Sequence, residues 1–211
     1  MDSRVRPQAS MRPFMKSPDF AAPAILDILA NRQARKYSRR EQLTRGLWFF
    51  GEWLLRLSPR PCFGWRCWVL RRFGARIGEN VRVFPTTRIL FPWYLRIGDW
   101  SVIAEDARIY NPGLIVIGER ATISHGAHLC SGTHSFHQTD LPLLRPPIKI
   151  GDQAWICTEA FIGPGVRVGT GAVVGARAVV TGAVARWTVV AGNPSRPIGL
   201  RRLNRNLSQM N

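Results

Sequence analysis

The chain has 211 residues, 45% of them hydrophobic, and 30 Lys/Arg against 13 Asp/Glu give a formal net charge of +17. No run of 18 or more apolar residues is present, which argues against a membrane-spanning helix. The N-terminus MDSRVRPQASMRPF carries charge without the apolar core of a secretory signal. The four cysteines, Cys62, Cys67, Cys130 and Cys157, form no Cys-x-x-Cys pair, so reduced thiols in a cytoplasmic protein are expected.

Residues 1–76 read as a basic N-terminal extension, partly disordered and partly helical, with 16 Lys/Arg against 5 Asp/Glu. Its first thirty or so residues, rich in Pro and Ser, look loosely ordered. Further on, Trp48, Phe49, Trp53, Leu54 and Leu57 fall at helical spacing, flanked by Arg45 and Arg56. Such a helix has two uses: covering the exposed end of whatever follows, or lying peripherally on the anionic inner face of a membrane. The charge alone is compatible with nucleic acid as well, but no nucleic-acid-binding motif accompanies it, and no such partner is expected.

From Ile150 the chain repeats every six residues: IGDQAW, ICTEAF, IGPGVR, VGTGAV, VGARAV, VTGAVA. Ile150, Ile156, Ile162, Val168, Val174 and Val180 hold the first position, a small residue the second, and Ala or Val the fifth. Neither a helix nor a half-buried strand has a period of six; a β-solenoid does. Each hexad makes one flat side of a triangular coil, with its aliphatic residue stacked on the one eighteen positions away. The pattern extends upstream through IGENVR from Ile77, IGDWSV from Ile97 and IGERAT from Ile117, with about two extra residues per coil near Pro92 and Pro112. Between Ile117 and Ile150 lie 33 positions, one coil of 18 plus an excursion of 15, placed at 135–149 with His134 at its entry. Long loops on rigid scaffolds are where function tends to sit. The expected fold is therefore mainly β: a left-handed parallel β-helix over 77–198, then a short helical C-terminal tail over 199–211.

The hexads resemble those of the bacterial hexapeptide-repeat acyltransferases, which use acetyl-CoA. The resemblance covers about residues 70–200 and rests on Ser131-Gly132-Thr133-His134 before the excursion and on Pro147-Ile148-Lys149-Ile150-Gly151 after it. It rests also on Ala154-Trp155-Ile156 and on the ending Val190-Ala191-Gly192-Asn193-Pro194-Ser195-Arg196-Pro197-Ile198. Leu70-Arg71-Arg72-Phe73-Gly74-Ala75, followed by Pro92-Trp93-Tyr94-Leu95-Arg96-Ile97-Gly98-Asp99, is similar to the colanic-acid type of exopolysaccharide O-acetyltransferases.

Moving an acetyl group from a thioester to a sugar hydroxyl needs the hydroxyl deprotonated as it attacks, and an imidazole suits that task near neutral pH. His134, where the wall opens into a loop, is the candidate base. The tetrahedral oxyanion needs a donor, and the resemblance implies a backbone N–H after Trp155, at Cys157 or Thr158. It also implies that Ala176 and Thr181 line the groove for the pantetheine arm. Many relatives carry Thr-Lys where this chain has Thr181-Gly182, so a lysine contact to the cofactor is missing. Arg196 is the leading cation for the CoA phosphates, with Arg177, Arg201 and Arg202 as further candidates; no metal is expected.

For the acceptor, a sugar or lipid-linked glycan, the candidates are Asn111, Asp106 and His137, with Glu105 and Asp140 beside them. Asn111 falls near a position where related sugar acetyltransferases have an acid, which puts a role in orienting His134 in doubt. His125 and His128 are expected as wall residues bordering the cleft. The resemblance implies a homotrimer with the site between two solenoids. Two rival readings stand: a non-catalytic solenoid scaffold at a membrane surface, and a γ-type carbonic anhydrase, whose zinc site would need a histidine upstream of His125.

Overall fold

A computed structural model describes residues 25–203. The expectation for the first 24 residues lies outside the described residues. The solenoid has three parallel faces. The first face stacks Arg76–Ile77, Leu95–Ile97, Ile115–Ile117, Ile148–Ile150 and Arg167–Val168. The second stacks Arg82–Val83, Val102–Ile103, Thr122–Ile123, Trp155–Ile156, Val173–Val174 and Thr188–Ala191; the third stacks Arg88–Ile89, Arg108–Tyr110, His128–Cys130, Phe161–Ile162 and Val179–Val180.

Register follows the repeat. Ile77 pairs with Ile97 and Ile97 with Ile117, Ile117 bridges the excursion to Ile150, and Ile150 pairs with Val168. Ile156, Ile162, Val174 and Val180 at first positions, and Ala154, Ala160, Ala172 and Ala178 at fifth positions, are buried. Stacked in rows, these side chains form one continuous apolar core, each isoleucine contributing about 1.5–3 kcal/mol relative to exposure. The small second position has a steric cause: a Cβ on Gly98 would lie 2.7 Å from the Glu119 amide nitrogen of the next coil. The final coil is tighter, since Val184 rather than a residue eighteen on bridges to Val168.

Both ends of the stack are covered. Among the described residues three helices precede the coils: α1 (Ile28–Gln33), α2 (Arg39–Arg56) and α3 (Phe63–Arg72). Ser38 and Glu41 form a capping box that starts α2, and Trp48, Leu55, Cys67, Val69 and Leu70 of α2 and α3 join the solenoid core. Trp48 Nε1 donates to the Ile89 carbonyl at 2.9 Å. Arg66 of α3 is fully buried, and its guanidinium is matched by the carbonyls of Val83, Pro59 and Arg60 and the Ser58 hydroxyl. At the other end the expected helix is absent over 199–203. Arg196–Leu200 instead pairs antiparallel with Thr188–Ala191, capping an edge that would otherwise expose unpaired backbone. Residues 204–211 lie outside the described residues.

The excursion departs from expectation in form. It is a hairpin in which Thr133–His134 pairs antiparallel with Leu143–Leu144. The chain rejoins the wall at Ile148, opposite Ile115, rather than at Ile150.

Candidate active site

His134 ends the entry strand of the hairpin, just past the third face. Gly132 lets this strand press against the coil before it: a Cβ there would lie 2.5 Å from Pro112 Cγ and 3.0 Å from Tyr110 Cε1. The His134 ring is exposed, and its Nδ1 lies 2.6 Å from the Leu141 carbonyl oxygen. A carbonyl only accepts, so Nδ1 carries the proton and the neutral ring has its lone pair on Nε2. Leu141, held at φ +45° and closed by its N–H to the Gln138 carbonyl at 3.1 Å, aims that oxygen back at the ring. Composition and spacing gave no signal for Leu141, because its role is purely backbone.

The expected donors lie on another edge of the prism. Between the second and third faces each coil turns through a four-residue bend, Cys157–Ala160 and Gly175–Ala178 in the C-terminal half. Thr158 and Ala176 occupy the same place in successive bends, both exposed. The Cys157 N–H already donates to the Val174 carbonyl at 2.9 Å, a rung of the wall, so it is not the free donor expected of it. Among the described residues the Thr158 N–H has no partner, so of these two amides it is the unpaired one. Trp155 projects outward from the second face, exposed, with its Nε1 on the Ser124 hydroxyl at 2.9 Å. In one chain His134 and the Thr158–Ala176 edge sit on different corners of the triangle, and the structure does not bring them together.

Thr181 and Arg196 do meet. Together with Gly182, Ala183, Pro194 and Ser195 they line a cleft of about 670 Å³ at the C-terminal end of the coils. Small side chains leave room for a thin amide-bearing chain, and Arg196 is an exposed cation with no carboxylate within 4 Å among the described residues. A second cleft, about 710 Å³, runs between α2 and the third face and is lined by Arg45, Trp48, Arg88, Arg108, Tyr110 and His128 among others.

Comparison with known proteins decides the family. Residues 147–182 match the family model described as bacterial transferase hexapeptide (six repeats). A protein of Escherichia coli (strain K12) bearing the name of a colanic acid biosynthesis acetyltransferase is 39% identical over 138 residues, covering 65% of this chain and 76% of the relative. The chain belongs to the bacterial hexapeptide-repeat acetyltransferases. The galactoside O-acetyltransferase of the same organism is 28% identical over 133 residues, covering 62% of this chain and 66% of that one. In fold, the chain is similar to a solved hexapeptide-repeat acetyltransferase of Vibrio cholerae O1 biovar eltor complexed with acetyl-CoA. The TM-score is 0.73 at 24% identity, over 80% of this chain and 93% of that one.

Within this acetyltransferase the remaining candidates divide. Asn111 is fully buried: its Oδ1 accepts from the Phe91 N–H at 2.9 Å and its Nδ2 donates to the Phe91 carbonyl at 2.7 Å. It ties two coils together and faces no acceptor, which corrects the substrate-binding expectation. Asp106, at φ +56°, belongs to the bend edge rather than to the His134 corner, and its carboxylate lies 3.8 Å from His125 Nδ1. Glu105, on the same edge, pairs with Arg60. His137 is exposed on the hairpin with its ring 4.1 Å from that of Phe136.

His128 is half-buried on the third face, and burial, aided by Arg108, pushes its imidazole below the ordinary range. Arg177 is engaged by Glu159, whose carboxyl the arginine holds low, so Arg177 is not a spare cation. Arg201 clamps the Gln153 carbonyl at 2.7 Å, while Arg202 is exposed. Among the described residues, no three of His, Cys, Asp and Glu are grouped to hold a metal ion. The partner missed by sequence reasoning is Asn31, whose amide bonds the same Leu141 carbonyl as His134.

Proposed function

We propose that this chain moves the acetyl group of acetyl-CoA to a hydroxyl of a sugar or lipid-linked glycan in exopolysaccharide or surface-glycan synthesis, with His134 as general base. The observation that carries the reading is the 2.6 Å contact of His134 Nδ1 with the Leu141 carbonyl, an acceptor that assigns the proton to Nδ1 and leaves Nε2 as the free base at the open corner of the wall. The acceptor O–H gives its proton to Nε2 as its oxygen attacks the thioester carbon. The oxyanion is held by the Thr158 N–H; the C–S bond then breaks, and the imidazolium returns the proton to the sulfur as CoA leaves. General base help of this kind is typically about 10²- to 10⁴-fold. The cleft of Thr181 and Arg196 fits the donor's thin arm and phosphates, and Ala176 extends the same wall.

Two parts of this reading concern assembly and place. Because His134 and Thr158 stand on different corners of one prism, the complete site takes the base from one chain and the donor edge from another, as in a homotrimer. Sedimentation showing a fully active monomer would end that arrangement.

The second part is peripheral contact with the inner face of the membrane. α2 and its C-cap Leu57 carry a second apolar stripe that faces nothing among the described residues: Leu43, Leu47, Phe50 and Leu57 are 73%, 62%, 66% and 75% exposed. Trp53, Leu54, Trp65 and Trp68 widen the patch, and the exposed Arg39, Arg40 and Arg72 border it. An exposed patch of this kind marks an interaction surface, and its cationic border suits anionic lipid. Vesicles of phosphatidylglycerol should bind the protein and lose it on the double change Leu47→Glu and Phe50→Glu; equal binding by both proteins removes this part.

The decisive experiment is thiol release from acetyl-CoA against a panel of sugars and lipid-linked oligosaccharides. Acceptor-dependent release of CoA is expected; no binding or consumption of acetyl-CoA would overturn the reading.

A further inference from the structure

α1 is more than 100 positions from the excursion in sequence, yet its polar groups end there. Asn31 Nδ2 donates to the carbonyls of Asp140 at 2.6 Å and Leu141 at 2.9 Å, and the Asp27 N–H donates to the Thr139 carbonyl at 2.9 Å. Lys36 Nζ donates to Asn31 Oδ1 at 2.9 Å. An ammonium can only donate and carbonyls can only accept, so the partners themselves fix which way the amide faces. The other arm of the hairpin is held from the same side: the Arg145 guanidinium donates to the Lys36 carbonyl and sits 4.8 Å over the Tyr37 ring. The Leu141 oxygen therefore receives two donors, the Asn31 amide and the His134 ring, one for each lone pair.

We infer that Asn31 is a positioning residue for the His134 ring: by pinning the Leu141 carbonyl it fixes the tautomer and the direction of Nε2. The inference rests on the reading of His134 as the base. Asn31 touches no reacting atom. Without its amide, the carbonyl loses the tie from outside its own turn that holds it against the ring, and the excursion has no hydrophobic core to supply another. An error of about 1 Å in the placement of a reacting group can cost about 10²-fold in rate. Leu141 sits in a left-handed conformation that its side chain does not favour, so an outside hold on this turn has something to oppose.

A simple tether between α1 and the solenoid is the competing role, and the tautomer of the His134 ring in two variants separates them. Asn31→Ala removes every side-chain bond of residue 31. Asn31→Asp keeps the size and the Lys36 partner, but a carboxylate cannot donate to either carbonyl; in both variants the Asp27–Thr139 and Arg145–Lys36 bonds still tie the segment to the hairpin. The inference expects both variants to lose about 10- to 100-fold in kcat while KM for acetyl-CoA stays within about twofold.

In the ¹⁵N spectrum the ring signals of His134, identified by their loss in His134→Ala, should move from the Nδ1–H form toward a tautomer mixture in both variants. Wild-type kcat in both, a loss in Asn31→Ala that Asn31→Asp restores, or a lowered rate with an unchanged tautomer would each overturn it. If Asn31→Ala fails to fold, Asn31→Asp decides alone. Acetyl transfer surviving in His134→Ala would instead sink the base assignment itself. An inactive His134→Ala beside fully active Asn31 variants would sink only the role of Asn31.

Discussion

The wall of the solenoid and the hairpin that leaves it are held by opposite means. In the wall, the first residue of each hexad from Ile97 on is an aliphatic side chain buried on its counterpart in the next coil, and the strand backbones pair with the coil above or below. The hairpin carries no buried apolar residue between Gly132 and Pro147. It stands on two-stranded pairing, a left-handed Leu141, and polar contacts from α1 and the α1–α2 connection. The wall thus supplies stability by packing, whereas the hairpin holds the His134 ring by directional bonds. Damage to the first should lower melting temperature, and damage to the second should lower rate.

The sharpest break in that contrast comes from the wall. Ile156→Ala leaves a cavity between Ile123 and Val174 in the stacked row and should cost about 2–5 kcal/mol, read as a lower denaturant midpoint. An unchanged midpoint would mean that the row does not stabilise the fold. Asn111→Ala comes next: it orphans the buried N–H of Phe91, whose carbonyl keeps the Tyr94 N–H, at about 1–3 kcal/mol for the group left unsatisfied. Its stability should fall with KM for acceptor unaltered, and the reverse pattern would restore Asn111 to the acceptor site.

Smaller still is Arg196→Ala. This exposed side chain should leave the melting temperature alone and raise KM for acetyl-CoA several-fold, about 1 kcal/mol at the 1.4 kcal/mol per tenfold scale. No change in KM would take Arg196 out of the donor cleft.

The least effect belongs to pH. Burial holds His128 below its ordinary 6.5 in the folded protein, so the unfolded chain binds the proton first. Stability from this group is complete above pH 6.5 and declines as pH falls below it, until the folded value is passed. His128→Gln should flatten that part of a stability–pH curve; an identical slope would show that His128 does not contribute.

How much of this was legible in the sequence follows from the same contrast. A packing rule repeated every six residues writes itself into residue types, so the coils, their inward positions and the point of departure at His134 could be read directly. The excess of 15 residues announced an excursion but not a hairpin, because backbone pairing and a left-handed Leu141 leave no compositional trace. Asn111 was an acceptor candidate because relatives have an acid near that position, yet Asn at a corner also serves a turn with no ligand; only its burial against Phe91 separates the two. Thr158 and Cys157 are neighbours in sequence, yet one amide is spent on the wall and the other is free, a distinction set by coil register. Asn31 was invisible for a simpler reason: nothing in α1 signals a partner 110 positions away.

The central claim is that the wall positions the chemistry and His134 performs it. Measuring the melting temperature and the acceptor-dependent acetyl-transfer rate of His134→Ala side by side tests it most directly. The account predicts an unchanged melting temperature and a rate lower by about 10²- to 10⁴-fold. A variant that transfers acetyl at the wild-type rate would contradict it.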